Sequence, residues 1–211
     1  MRIVIRGEKA CFTSVSHRAE RVTEQVPTPS AMRGVFDAIF WHPQFKWVID
    51  KIVVLNPIIV TSEMHSELPK ANESVAQLRT TQVLRNVAYG VEAHFEHTDK
   101  WDEPGEDGRP YTDGKVLAVT SRRIKKGQHQ AYLGMREYVA DVEQVDDFPR
   151  SFYEGYEHDF GIMLYEPDYD KAFDKDMKVY TDIPRNTYYH AVMRDGIIDV
   201  QAARERGELF R

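Results

Sequence analysis

A cluster of cations lies in the segment DGKVLAVTSRRIKKGQHQ, residues 113–130, which has no acidic side chain after Asp113. The cations, called the basic strip below, are Lys115, Arg122, Arg123, Lys125 and Lys126. The whole chain is acidic, with a formal net charge of -6. Local charge matters more than net charge for holding a phosphate backbone, so the strip favours a nucleic-acid partner over the simpler alternative of a solvated helix face.

Three further arginines could extend this phosphate-binding surface. Arg136 lies just downstream of the strip, and Arg79 and Arg85 flank the start of a predicted strand. Cations gathered over a sheet are typical of proteins that follow the backbone of RNA.

A second candidate for chemistry is the set Glu92, His94 and Glu96, after which His97 follows. Residues two apart on a strand point to the same face, about 6–7 Å from one another. Carboxylates and an imidazole together can bind a divalent metal. A solvated sheet face explains the same pattern without a metal.

The remaining motifs are weaker. FWHPQFKW, residues 40–47, concentrates aromatic side chains that suit a core, although an exposed ring there could stack on a base. The sequence contains no glycine-rich phosphate loop, CxxC pair, HExxH or GxSxG motif.

The elements that would carry these residues begin with a strand over residues 2–6 and a helix over 28–43. Thr28 can cap this helix and Pro29 suits its first turn, whereas Pro43 ends it. Apolar residues at helical spacing form one face of it: Met32, Val35, Phe36, Ile39 and Phe40.

Strand patterns follow this helix. Residues 45–60 are β-branched and apolar, which predicts one long strand or two strands that meet near Pro57. Residues 86–97 alternate apolar and polar side chains, which is typical of a half-buried strand. Residues 61–82 are polar and irregular, and they predict a loop.

A second helix and a further strand follow. Residues 101–114 form a turn-rich acidic loop, the basic strip forms a helix that ends at Gly127, and residues 130–145 form a strand. Strand, helix, strand, strand, helix, strand is the split pattern of a ferredoxin-like domain. We therefore predict an α+β fold with an antiparallel sheet over residues 1–148.

Residues 149–211 predict a small β-rich C-terminal domain. Their strands are short and aromatic, and Asp195–Gly196 is a strong signal for a hairpin turn. Cys11, the single cysteine, excludes an internal disulfide and is expected to be a buried structural thiol in a cytoplasmic protein. No run approaches the roughly 18 apolar residues of a membrane span, so no membrane is expected as a partner.

Several stretches, in order along most of the chain, resemble the CRISPR-associated Cas five family, in the subtype (d) of type I-C systems. They are TPSAMRGVFDAIFWHPQFKWVIDKIVVLNPI, LRNVAYGVEAHFE, GK followed by SRRIKKGQ, YLGMRE, HDFGIML and HAVMRDGII. The loops at residues 61–77 and 99–113 are the least similar parts.

The resemblance implies a ferredoxin-like, RAMP-type domain that binds CRISPR repeat RNA. It implies cleavage of the precursor transcript without a metal or other cofactor, by attack of a ribose 2′-hydroxyl on the adjacent phosphate. It also implies that the protein stays on the 5′ handle of the guide RNA in a Cascade complex with the backbone (Cas seven) and large (Cas eight) subunits. Target DNA would be met only inside that complex, near its PAM-proximal end.

In the resembled family a tyrosine at the end of the first helix and a Lys-His pair before the second helix carry out cleavage. Lys115 matches the lysine, while Phe40 and Val116 occupy the tyrosine and histidine positions. Phenylalanine and valine cannot donate or accept a proton. Changing Phe40 to Tyr and Val116 to His should therefore raise the rate of RNA cleavage. Three residues near these positions in sequence could replace the missing hydroxyl and imidazole: His42, Tyr111 and His129. Phe40 itself is assigned to the RNA-binding surface.

Three functions therefore remain open. The first is an endoribonuclease that processes precursor guide RNA and stays bound to it. The second is a non-catalytic subunit that only caps the 5′ handle, which the departures at Phe40 and Val116 favour. The third is a metal-dependent hydrolase centred on Glu92, His94 and Glu96.

Overall fold

The computed structural model describes residues 1–14, 21–67, 77–105, 108–128, 130–167, 173–174, 179–180 and 186–211. Its helices are α1 (Pro29–Ile39), α2 (Asp113–Lys125) and α3 (Val200–Glu205). Its strands are β1 (Arg2–Ala10), β2 (Phe45–Val54), β3 (Val60–Glu67), β4 (Gln77–His97), β5 (Asp141–Gln144), β6 (Glu157–Glu166), β7 (Phe173–Asp174), β8 (Val179–Tyr180), β9 (Thr187–Arg194) and β10 (Ile197–Asp199).

An antiparallel sheet organises the described chain, with strand order β5-β1-β4-β2-β10-β9-β6 and with β3 paired to β4. Its part β5-β1-β4-β2, together with α1 and α2, forms the split βαβ arrangement of a ferredoxin-like domain. The predicted α+β class and antiparallel sheet are confirmed.

The first helix shows why local sequence positions the core. Thr28 accepts a hydrogen bond from the Ala31 amide, and Pro29 opens the first turn. Met32, Val35, Phe36 and Ile39 are buried against the sheet, as their spacing predicts. The helix ends at Ile39, four residues before Pro43.

Two predictions about secondary structure are wrong. Residues 61–82, predicted as a loop, contain β3 and the first part of β4, which pair from Val60↔Leu84 to Glu67↔Gln77. Residues 130–145, predicted as a strand, form a turn between the bridge partners Tyr132 and Val139, and only Asp141–Gln144 is a strand.

A glycine explains the second error. Gly134 adopts a φ of +88°, and a Cβ there would clash with the Cys11 carbonyl. Leu133 in turn accepts the Cys11 amide hydrogen bond, so the turn is fastened to the end of β1. Cys11 itself is buried, as expected, and burial raises the pKa of its thiol.

The C-terminal strands extend the same sheet. β10 pairs with β2 through Ile197↔Val53 to Asp199↔Lys51, and β9 and β6 follow beyond it. The hairpin turn at Asp195–Gly196 is confirmed, with positive φ at both residues. The division at residues 148 and 149 remains a prediction. No described helix is long and apolar enough to cross a membrane.

Candidate nucleic-acid interface

Helix α2 carries the candidate residues at its two ends. Val116, Thr120 and Ile124 recur every four residues and are buried, which fixes the side of the helix that faces the sheet. Thr112 caps the helix by accepting the amide hydrogen of Lys115, at 3.3 Å. The helix therefore holds Lys115 at its N-terminal end and the other cations of the basic strip at its C-terminal end.

Lys115 lies against one of the three predicted substitutes, Tyr111, which in turn contacts a second, His42. Its Nζ is 4.6 Å from the centroid of the Tyr111 ring, and that ring lies 4.7 Å from the ring of His42. The Nδ1 atom of His42 is buried and has no hydrogen-bond partner among the described residues. His129, the third substitute, lies outside the described residues.

The turn after α1 and the start of α2 place His42, Tyr111 and Lys115 in one cluster. His42 lies in the turn between α1 and β2, where its carbonyl accepts the Phe45 amide hydrogen bond. Tyr111 immediately precedes the cap of α2, and its ring contacts Phe40 and Phe45. The end of the first helix and the start of the second therefore share one aromatic cluster.

The two residues that depart from the resembled family are both buried. Phe40 is 5% exposed and packs on Phe45, so it presents no ring face to RNA and its assignment to the RNA surface is not retained. Val116 is fully buried. A histidine at that position would bury an imidazole in an apolar core, so the double change to Tyr and His is no longer expected to raise the rate.

The cations at the other end of α2 divide into two kinds. Arg122, Lys125 and Lys126 are exposed. Arg123, in contrast, donates a hydrogen bond to the Ile39 carbonyl at 2.9 Å and lies 4.8 Å from the centroid of the Phe40 ring. Arg123 therefore joins α2 to the end of α1 and has a structural role that the sequence did not reveal.

The other predicted RNA-binding arginines are exposed but dispersed. Arg136 lies in the turn after α2, whereas Arg79 and Arg85 lie on β4. Arg79 lies on the part of β4 that pairs with β3, whereas His97 ends the same strand beside the first residue of α2.

Glu92 and His94 are held by different partners, and Glu96 contacts His94 at 3.6 Å. Glu92 pairs with Arg2, and His94 binds through Nδ1 to the buried carboxylate of Asp50 at 2.8 Å. Within the described parts of the chain, no group of three His, Cys, Asp or Glu residues could hold a metal ion. The interpretation of this face as a metal site is therefore not supported.

Sequence reasoning missed a second histidine at the interface. His97, at the end of β4, binds through Nε2 to Oδ1 of Asp113 at 2.9 Å, and its ring stacks on Trp101 at 3.7 Å. Because Asp113 opens α2, this pair adjoins Lys115. Trp101 and Asp113 lie in or next to the irregular acidic loop that follows β4, and this loop gave no periodic signal that could reveal their contacts with His97.

The aromatic side chains of residues 40–47 differ in burial. Phe45 and Trp47 are in the core, and Trp47 donates its indole hydrogen to the Phe40 carbonyl. Trp41 is 61% exposed beside His42. Trp41 is thus the ring of this run that could stack on a base.

Comparison with protein families gives a match over nearly the whole chain. Residues 2–201 match the family model described as CRISPR-associated protein (Cas_Cas5), in its Cas5d form. A protein from Mannheimia succiniciproducens is 35% identical, over 95% of this chain and 94% of its own length. A protein from Thermus thermophilus is 32% identical, over 100% of this chain and 95% of its own. Both bear the name CRISPR pre-crRNA endoribonuclease Cas5d.

Solved structures share the fold. A functionally uncharacterized protein from Streptococcus mutans, SMU1763c, is 26% identical with a TM-score of 0.68, over 94% of this chain and 90% of that one. A structure described as a CRISPR-associated protein is 24% identical with a TM-score of 0.67, over 97% and 92%.

Proposed function

Because this chain belongs to the CRISPR-associated Cas5 family, in its Cas5d form, we propose that it binds CRISPR repeat RNA and cleaves the precursor transcript into guide RNAs. The observation that carries the proposal is the arrangement along α2. Lys115 lies beside Tyr111, whose ring contacts His42, at one end of this helix, and exposed cations occupy the other. The opposite ends of one rigid helix would thus cut the RNA and hold its phosphates.

The proposed reaction uses a group of the RNA itself. The ribose 2′-hydroxyl attacks the adjacent phosphate, so the protein must stabilise the negative charge of the phosphorane and transfer protons. The ammonium of Lys115 and the amides of the first turn of α2 provide positive potential for that charge. The hydroxyl of Tyr111, which adjoins Lys115, and the imidazole of His42, which adjoins Tyr111, are candidate proton-transfer groups.

Cleavage by this mechanism needs no metal ion. We expect purified protein to cut the repeat RNA of its own array at one position, with equal rates in magnesium and in excess EDTA. The measurement is a single-turnover time course on end-labelled RNA. Loss of cleavage in EDTA with recovery in Mg²⁺ or Mn²⁺ would contradict the metal-independent mechanism.

A second candidate function is a non-catalytic cap on the 5′ handle. The residue types at Phe40 and Val116 favour it, because neither side chain can donate or accept a proton. RNA that is bound tightly but never cut, in either magnesium or EDTA, would select this function over the nuclease.

Alanine at Arg122, Lys125 and Lys126 together should weaken repeat binding and flatten its salt dependence. Each phosphate contact contributes roughly 0.7–0.9 to the slope of log K against log salt concentration, so the slope should fall by about 2–3. Affinity is measured by filter binding from low to moderate salt.

Arg123→Ala is the matched control for this measurement, because it removes a charge from the same turn. Its guanidinium holds the Ile39 carbonyl, so the change should lower thermal stability and leave the salt slope nearly unaltered. A triple variant with the wild-type slope would show that α2 does not contact the RNA backbone.

We further propose that the protein stays on the guide RNA inside a Cascade complex in the cytoplasm, in contact with the backbone and large subunits. Exposed aromatic side chains support a protein partner, since Phe152 is 58% and Tyr156 is 61% exposed. Target DNA would approach the protein only within that complex, near its PAM-proximal end.

A further inference from the structure

His97 has the environment of a proton-transfer group. Its Nε2 lies 2.9 Å from a carboxylate oxygen of Asp113, and an ionised carboxylate can only accept hydrogen bonds. Nε2 therefore carries the hydrogen, and in the neutral ring the lone pair is on Nδ1. Nδ1 has no hydrogen-bond partner among the described residues, and the side chain is 45% exposed. The nitrogen that could take a proton is thus open to a ligand.

The ring of His97 is also held in one orientation. It stacks on Trp101 with centroids 3.7 Å apart and planes only 7° from parallel. Asp113 binds one edge of the imidazole and Trp101 covers one face, so the orientation of the ring is fixed. A group that transfers a proton to or from a substrate needs such a fixed orientation.

The position of His97 joins it to the rest of the interface. Asp113 is the first residue of α2, and Lys115 follows in the same turn. Phe45 links the two sides, since its ring contacts both Phe95, the neighbour of His97, and Tyr111. His97 and Lys115 thus flank the N-terminal end of α2, where the positive end of the helix dipole attracts a phosphate.

We propose that His97 is the general base of the cleavage reaction, with Asp113 and Trp101 as positioning residues. This inference rests on the proposed function. Nδ1 of His97 takes the proton of the 2′-hydroxyl while the 2′-oxygen forms a bond to phosphorus. The bond from phosphorus to the 5′-oxygen breaks, and the 5′-oxygen leaves with a proton from the Lys115 ammonium. The products are a 2′,3′-cyclic phosphate and a 5′-hydroxyl.

His97→Gln should lower the single-turnover cleavage rate by about 10²–10⁴-fold and leave RNA affinity nearly unchanged, because glutamine retains a hydrogen-bond donor but cannot take the proton. His190→Gln is the matched control. His190 forms a similar exposed pair with Asp159, at 2.7 Å, on strands far from α2 in the sheet order, so its loss should leave cleavage intact.

Two further readouts separate catalysis from a structural role. Imidazole added to His97→Gly should restore part of the rate, because the Trp101 ring and the Asp113 carboxylate remain to bind it. Repeat RNA with sulfur in place of the 5′-bridging oxygen at the cut has a leaving group that needs no proton. The defect of His97→Gln should persist on this substrate, while that of Lys115→Ala should shrink.

Several outcomes would overturn the assignment. If His97→Gln cleaved RNA at the wild-type rate, His97 would not be the general base, and the proposed nuclease function would be unaffected. A defect without imidazole rescue, matched by lost RNA affinity, would make the role structural. A defect that vanishes on the sulfur substrate would make His97 the acid instead of the base. Wild-type protein that cuts no repeat RNA would overturn both the nuclease function and this inference.

Discussion

Repeat RNA with a 2′-deoxy sugar at the cut position should resist cleavage completely while binding with normal affinity. The nucleophile in the proposed reaction is that single hydroxyl, and its removal leaves nothing to attack the phosphate. The protein contacts expected from α2 are to phosphates, which are unchanged in the substituted RNA. The measurement pairs a cleavage time course with a binding titration on the same RNA.

The control for this prediction is RNA with the 2′-deoxy sugar placed one nucleotide to either side of the cut. That RNA should be cut at nearly the wild-type rate, since its attacking hydroxyl is intact. Cleavage of the first RNA at an undiminished rate would mean that water, not the RNA, is the nucleophile, and the family-type mechanism would be wrong for this protein.

Lys115→Ala should lower the single-turnover cleavage rate on the order of 10²-fold, with a smaller loss of binding. Removing one group that stabilises transition-state charge typically has this effect, and removing a general acid has an effect of the same order or larger. Lys115 suits that role because it lies in the first turn of α2, where the ammonium and the helix dipole act on the same phosphate.

Lys51→Ala is a suitable comparison, because Lys51 is a similarly half-buried lysine on β2 and has no part in the proposed chemistry. The two variants should differ in rate and agree in thermal stability. If Lys115→Ala cut as fast as wild type, the chemistry would lie elsewhere, and His42 would be the next residue to replace.

Elements with one buried face could be predicted well from the sequence. The stripe on α1 and the cap at Thr28 determine that helix without knowledge of the rest of the fold. Residues 86–97 alternate because Val87, Tyr89, Val91 and Ala93 face the main core, whereas the other face carries Ala88 in a smaller buried cluster and then polar residues from Glu92 onward. These patterns were sufficient to predict the ferredoxin-like arrangement.

Elements without a buried face could not be predicted in this way. At residues 61–64 of β3 the side chains are all exposed or half-buried, so alternation is lost although the backbone pairs regularly with β4. The turn before β5 depends on Gly134 lying against Cys11, more than 120 residues away in sequence. Such a contact leaves no local periodic signal.

The candidate site was predictable only in part for the same reason. Lys115 was identified from the sequence because it matches a position of the family pattern, and His42 and Tyr111 because they lie near two others. The structural role of Arg123 depends on the approach of α2 to α1, and the pairing of His97 with Asp113 depends on the approach of α2 to β4. Both are contacts between elements, and residue types alone do not predict them.

Helix α2 also fixes the distance between Lys115 at its N-terminal end and the exposed cations at its C-terminal end. Ten residues separate Lys115 from Lys125, and at 1.5 Å per residue that is about 15 Å along a rigid rod. The phosphate that is cut and the phosphates that are held would therefore stand at a distance set by the protein, not by base sequence. In the proposed reaction, the cut would therefore keep a constant distance from the held phosphates, even where the repeats of an array differ in sequence.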